Sequence, residues 1–303
     1  MRPSDLEFAT AVEAAISGWE TNHGALPGLT RQRARDCFIR QLVDSDRRRR
    51  FLSLYPDSKR LTNAQADPSN PVFNPYAAAV LAHRCGDTNE ALWITFLAIH
   101  FGKHPVAHWR YLQNVYGCLG AGRWDWPTIS GDPTAFRIWL ANNLDEVQGA
   151  LPRGFGNHRK RETLRDSGTG EAIESYVDWI GESADHVERF ASIIGDDPDP
   201  GNSFEMLYGS MRAVFRFGRL ARLDYLTTAH RLGLIQAEAG RPYLPESSGP
   251  LKGARELFGP SQPAKLELQA TEFGRQANIP FAVLEDAICN WQKSPLRFRH
   301  FGG

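Results

Sequence analysis

The chain lacks an excess of either charge: 35 Lys and Arg stand against 35 Asp and Glu in 303 residues. Total charge therefore advertises no polyanionic partner, and any such argument rests on local distribution. Cysteine is sparse. Cys37, Cys85, Cys118 and Cys289 show no C-x-x-C spacing, which argues against a zinc ribbon and against a secreted disulfide scaffold. The opening MRPSDLEFATAVEAA lacks the apolar core of a signal peptide. The longest apolar stretch, ALWITFLAI at 91–99, is too short to span a bilayer and is interrupted by Thr95. A cytoplasmic protein is expected. Alternating strand patterns, a β-α-β rhythm and repeats of fixed period are also missing.

What is present is globular and helical. Apolar residues make up 42% and charged residues 23%, a folded rather than a disordered composition. NPYAAAVLAHRCGD at 74–87 has Asn74 as N-cap, Pro75 at the first helical position and Gly86 as stop. Asp87 and Glu90 then form a capping-box pattern. GDPTAFRIWLANNL at 131–144 opens with Asp and Pro. Ile173, Tyr176, Val177 and Ile180 repeat at helical spacing, as do Phe281, Leu284, Ile288 and Trp291. The fold expected is all-α, as a single helical domain over 1–303 or two lobes. DDPDPGNS at 196–203 is the best candidate boundary, giving lobes 1–195 and 203–303 with a cleft between them.

Five stretches could carry chemistry. His100, His104 and His108 are spaced four apart, as metal ligands on a helix would be. Gly102 and Pro105 interrupt them and H-E-x-x-H is absent, so no metal is expected; the readings left are a helix end with a new helix starting near Pro105, or a polar turn at a pocket wall that exposes Lys103 and His104. In RGFGNHRKRE, Arg153, Arg159, Lys160 and Arg161 fall within nine residues, with no acid before Glu162. Cations read phosphate and aromatic rings stack on bases. In SMRAVFRFGRLARLDYL, Arg212, Arg216 and Arg219 would form one cationic stripe on a helix, with Asp224 a turn later. GPLKGA, with Lys252, suits a phosphate at a helix N-terminus. Asp286, Asn290 and Lys293 lie at i, i+4 and i+7, placing a carboxylate, an amide and an ammonium on one face. For each stretch the bland alternative is a solvated helix face or an ordinary loop. Four of the five nevertheless suit an anion, which points to a phosphate backbone.

LAIHFGKHPVAHWRYLQNVYG, RGFGNHRKRE with GTGEAIESYVDW, FGRLARLDYL, GPLKGAREL and LEDAICNWQKSP together resemble the alpha-glutamyl/putrescinyl thymine pyrophosphorylase family over about residues 74–295. That family is similar to the helical domain of hydroxymethyluracil DNA kinases and is considered related to helical DNA glycosylases. Some relatives look like anti-phage enzymes that cut modified bases from phage DNA. The resemblance implies double-stranded DNA carrying a modified base as partner, and a glycosylase-like architecture. With no Walker A sequence the kinase activity is not carried over, and no lysine is placed as a Schiff-base nucleophile.

The expected activity is a monofunctional DNA glycosylase without cofactor, acting in anti-phage defence. It would flip a hypermodified or glucosylated base into a pocket and hydrolyse its glycosidic bond with a carboxylate near C1′. Asp286 is the first candidate, then Asp224, then Glu174. Asn157, His158, Tyr176, Asn290 and Trp291 are assigned to the substrate, and Lys103 and His104 to the leaving base. Arg153, Arg159, Lys160, Arg161, Arg212, Arg216, Arg219, Lys252 and Lys293 are assigned to the DNA backbone. The alternatives are a transferase or pyrophosphorylase in thymine hypermodification, and a non-catalytic reader of modified DNA.

Overall fold

The computed structural model describes residues 3–156, 164–197 and 199–301. Sixteen α-helices and no strand occur among the described residues, as expected of an all-α protein. They form two compact units, Met1–Phe51 with Ala239–Gly303, and Leu52–Glu238. The chain begins in the first unit with α1 (Pro3–His23) and α2 (Gln32–Leu52). It passes through the second as α3 (Asn63–Ala66), α4 (Pro75–Arg84), α5 (Thr88–Phe101), α6 (Arg110–Tyr116), α7 (Trp126–Gly131) and α8 (Pro133–Asn142). There follow α9 (Leu144–Gln148), α10 (Glu171–Ile180), α11 (His186–Ile194), α12 (Pro200–Ser210) and α13 (Arg219–Arg231). It returns to the first unit as α14 (Gly249–Phe258), α15 (Pro263–Gln276) and α16 (Phe281–Trp291).

The loop at 196–203 therefore lies inside the second unit, between α11 and α12, which pack against each other. The contacts divide the chain at residues 51 and 239 instead, so the first unit is built from both ends of the sequence. GRPYLPESSGP at 240–250, rich in Gly and Pro, follows directly on the second of these points.

The first unit closes around Phe38, Leu257, Phe273, Leu284, Ile288 and Trp291, all at most 1% exposed. Phe38 meets Trp291 edge-on at 5.4 Å. Here the glycines of GPLKG have a packing task. A Cβ on Gly253 would come within 2.5 Å of the Ile288 carbonyl oxygen, so α14 can approach α16 only with glycine at that position.

In the second unit the local signals set the helix ends. Asn74 accepts from the Tyr76 and Ala77 amides, and Pro75 starts α4. Asp87 caps α5 through the Glu90 amide, but the reciprocal half of the capping box does not form, because the Glu90 side chain is buried elsewhere. α5 is apolar nearly all round and is buried from Glu90 to Phe101 apart from Ile99, the mark of a central helix. On it, Phe96 stacks on Tyr176 at 3.9 Å and packs against Phe217 at 5.0 Å.

Candidate functional site

The last two turns of α2 read DSDRRRR, residues 44–50. Four consecutive arginines on a helix point around the cylinder, and each needs an anion or water. Arg47 and Arg50 clamp the buried Asp5 at 2.7 and 2.8 Å. Asp44–Arg48 and Asp46–Arg50 pair across one turn, as i,i+4 spacing allows. Arg48 also reaches α16, where its Nη2 donates to Asp286 Oδ2 at 2.5 Å. Ser45 Oγ donates to the same oxygen at 2.7 Å. The other oxygen, Oδ1, accepts from Asn290 Nδ2 at 3.1 Å. Lys293 Nζ then donates to Asn290 Oδ1 at 2.9 Å.

The expected i, i+4, i+7 face of Asp286, Asn290 and Lys293 is thus one hydrogen-bonded chain. The Asp286 side chain keeps 32% of its surface in solvent. Burial pushes its carboxyl up, but Arg48, the Ser45 hydroxyl and Arg49 together outweigh burial and hold it below the ordinary carboxylate range. Asp286 is therefore ionised at neutral pH. Two carboxylates, Asp44 and Asp286, share the single guanidinium of Arg48.

The segment 297–301 lies along this cluster. Gln41 Nε2 donates to the Arg299 carbonyl at 2.7 Å, and Arg48 Nη1 to that of Phe301 at 2.9 Å. The His300 ring meets Asp44 at 3.0 Å, the Arg40 guanidinium sits over Phe298 and the Lys293 ammonium over Phe301.

Other expected site residues fall elsewhere. Trp291 is 1% exposed, and its indole N–H donates to the Ala34 carbonyl. It is a core residue, and stacking a base would require unpacking the first unit. Tyr176 is fully buried too, its hydroxyl bonded to His186 Nε2 at 2.8 Å and to the Tyr225 hydroxyl at 2.9 Å. An aromatic stripe and a stacking ring look alike in sequence, which is why both rings read as substrate contacts there. Glu174 is half-buried and accepts from Arg137 Nη1 at 2.5 Å, while Arg137 also grips Asp166 with two bonds at 2.6 and 2.7 Å. Asp224 is half-buried on α13, near the half-buried Tyr76.

The three histidines share no helical face. His100, buried at the end of α5, meets Thr169 Oγ1 at 3.0 Å. His104 Nδ1 accepts from the Val106 and Ala107 amides in the turn that follows, and Lys103 and His108 are exposed. Gly156 docks on this turn. A Cβ there would meet the Lys103 and His104 backbone at 2.2 Å, so FGKH and RGFG come together around a glycine.

Among the cations, Arg153, Lys252 and Lys293 are exposed, and Lys252 faces Glu256 at 3.9 Å. Asn157, His158, Arg159, Lys160 and Arg161 lie outside the described residues. The Arg212–Arg216–Arg219 stripe does not form on one helix. Arg212 sits in a 3-10 turn, Arg216 has φ 55°, and Arg219 is the first residue of α13. Phe217 and Val214, turned into the core, break the helix that the spacing suggested.

The sequence reading missed DSDRRRR, and with it Ser45, Arg48 and the His300 partner of Asp44. The signal was there, as acids four residues ahead of arginines. It also missed two buried ionisable groups in the second unit. Glu90 accepts from the Tyr116 hydroxyl and from the Trp126 amide, and burial pushes it up to about 7. His186 bonds Asn89 and Tyr176, and burial pulls it down to about 3.

A family model described as alpha-glutamyl/putrescinyl thymine pyrophosphorylase clade 3 matches residues 33–303. No curated protein and no solved structure matches the chain.

Proposed function

The chain belongs to the alpha-glutamyl/putrescinyl thymine pyrophosphorylase family, clade 3, and from that premise we propose that it excises a modified base from DNA, with Asp286 as the carboxylate at C1′. The observation that carries this reading is the state of Asp286: ionised, a third open to solvent, and oriented by Ser45, Arg48 and Asn290. Loss of a base builds positive charge on the deoxyribose, and a fixed carboxylate beside that charge stabilises it without reorganising.

A carboxyl held below its ordinary range is a weak base. Asp286 therefore acts chiefly on the developing cation. The C1′–N bond breaks and its electron pair leaves with the base, which takes up a proton. Water then bonds to C1′ and gives a proton, by way of Asp286, to solvent. Lys103 and His104 are assigned to the leaving base. His104 Nδ1 is committed as an acceptor, so the neutral ring carries its proton on Nε2. Asn157 and His158 are assigned to the base itself. Arg153, Arg159, Lys160, Arg161, Arg212, Arg216, Arg219, Lys252 and Lys293 are assigned to phosphates. Action on phage DNA in the cytoplasm belongs to the same reading.

The test incubates the protein, without added metal or nucleotide, with DNA carrying hypermodified thymine or glucosylated cytosine, beside unmodified DNA. Mass spectrometry reads released base, and alkali reads abasic sites. The expected result is free modified base with alkali-labile sites, lost in Asp286→Asn. An altered nucleoside still attached to the strand would mean synthesis rather than excision and overturn the reading.

A further inference from the structure

The broken stripe at residues 211–218 is a built turn. Met211, Val214 and Phe217 point inward and are 0%, 2% and 2% exposed. Phe217 packs on Phe96 and, at 6.1 Å, on Tyr225. Between these anchors Phe215 points outward and is 39% exposed. Its backbone N–H donates to Ser175 Oγ of α10 at 2.8 Å, which fixes the turn at its tip. The next residue, Arg216, adopts φ 55°, a left-handed conformation that a non-glycine residue takes at a cost. Its guanidinium lies 5.1 Å from the centre of the Phe215 ring.

Packing does not call for this ring. A polar side chain at 215 would leave all three anchors and the Ser175 bond intact and would remove apolar surface from water. What the turn achieves is to hold an exposed aromatic ring on a rigid base, with the exposed Arg216 beside it. A rigid ring beside cations is the chemistry that stacks a nucleobase while its phosphates are neutralised.

We propose that Phe215 is a stacking platform for a DNA base, with Arg216 holding the adjacent phosphate. This rests on the DNA reading above and adds a residue to it. Stacking tolerates any base, because every base has a π face, so the platform contributes affinity rather than sequence choice.

The test titrates fluorescently labelled oligonucleotides, single-stranded and duplex, each with one 2-aminopurine, across a salt series. Phe215→Ala is expected to lose about 5- to 100-fold in affinity, the range of one stacked base, with an unchanged slope of log K against log salt. Phe215→Trp is expected to bind as the wild type does, and the change in 2-aminopurine emission is expected in both but not in Phe215→Ala. Arg216→Ala is expected to lower the salt slope. Because Phe215 is a surface ring, circular dichroism of all variants should match the wild type. Wild-type affinity in Phe215→Ala, or a Phe215→Leu variant equal to Phe215→Trp, overturns the platform alone. A wild type that binds no DNA at any salt overturns both the platform and the DNA reading.

Discussion

The polar cluster of the first unit and that of the second hold similar residue types in opposite states. Around Arg48 the groups gather on a guanidinium, are open to solvent at Asp286 and His300, and are spread over α2, α16 and the 297–301 segment. Around Tyr176 they are neutral and sealed, with Asn89, His186 and Tyr225 completing a hydrogen-bonded chain inside aromatic packing. A buried ionisable group gives up its charge unless a partner compensates it. Asp286 has its partner in Arg48, whereas Glu90 and His186 hydrogen-bond to neutral groups, and burial of His186 outweighs the pull of the nearby Asp185. A histidine or carboxylate in this chain is therefore a candidate for chemistry where a counter-ion keeps it charged and water reaches it. Where neither holds, it is a packing element.

The largest effect that would break this contrast is on turnover. Asp286→Asn is expected to lower base release by about 10²- to 10³-fold, the range seen when one group stabilising transition-state charge is removed. Glu174→Gln and Asp224→Asn are expected to stay within about 10-fold of wild type. Single-turnover release of base, followed by mass spectrometry, reads all three. If Glu174→Gln is the inactive variant instead, the catalytic carboxylate lies in the second unit and the contrast is misassigned.

The next effect is on stability against pH. Glu90 has a folded value near 7, above its unfolded range, so the folded protein holds its proton more tightly. Its contribution is fully present at low pH and is lost as pH rises towards 7 and beyond, by about 3 kcal/mol. His186 has the opposite sign. With a folded value near 3 it must be protonated to unfold favourably, so stability falls as pH drops below about 6.5. Chemical denaturation at pH 5 and pH 8 should show Glu90→Gln losing the alkaline decline that the wild type shows. Hydrogen exchange at pH 4.5 should show α10 and α11 opening before α2 and α16, whose carboxylate Asp286 stays ionised to lower pH. Equal opening of both units would remove the distinction.

A smaller effect tests the sealed chain directly. Tyr176→Phe leaves His186 Nε2 and the Tyr225 hydroxyl without their shared partner in a dry site. About 1–3 kcal/mol of stability is expected to go, with base release per folded molecule unchanged. A loss of turnover without loss of stability would return Tyr176 to the substrate.

Helix starts were legible in the sequence because Asn74, Asp87, Asp132 and their neighbours act within one turn. The alliance of Asp286, Asn290 and Lys293 was legible for the same reason. What was not legible is what depends on distant chain. Nothing near Asp286 announces Arg48, 238 residues away. Nothing in GPLKG says that Gly253 will rest on the Ile288 carbonyl rather than face an anion. The spacing of Arg212, Arg216 and Arg219 reads as a helix because periodicity counts polar positions and cannot see Val214 and Phe217 being pulled inward. That Trp291 and Tyr176 are buried was hidden for a related reason, since the pattern that buries a ring is the pattern that would offer it.

The smallest effect concerns the 297–301 segment. His300 is two-thirds exposed and its partner Asp44 is nearly buried, so the pair is partly screened and contributes at most about 1 kcal/mol. His300→Ala is therefore expected to move the midpoint of denaturation little. Its effect should be local, because the segment is also tied by backbone carbonyls to Gln41 and Arg48 and by rings to Arg40 and Lys293. Those ties persist in the variant, so exchange of the 298–301 amides should rise only a few-fold at low salt, and the difference from wild type should shrink at high salt, where the wild type's own His300–Asp44 contact is screened. A large rise independent of salt would mean that His300 alone fastens the segment over Asp44 and Arg48. In that case the charged cluster is open by default and closed by one histidine, which would place it further from the sealed chain of the second unit than its resting geometry does.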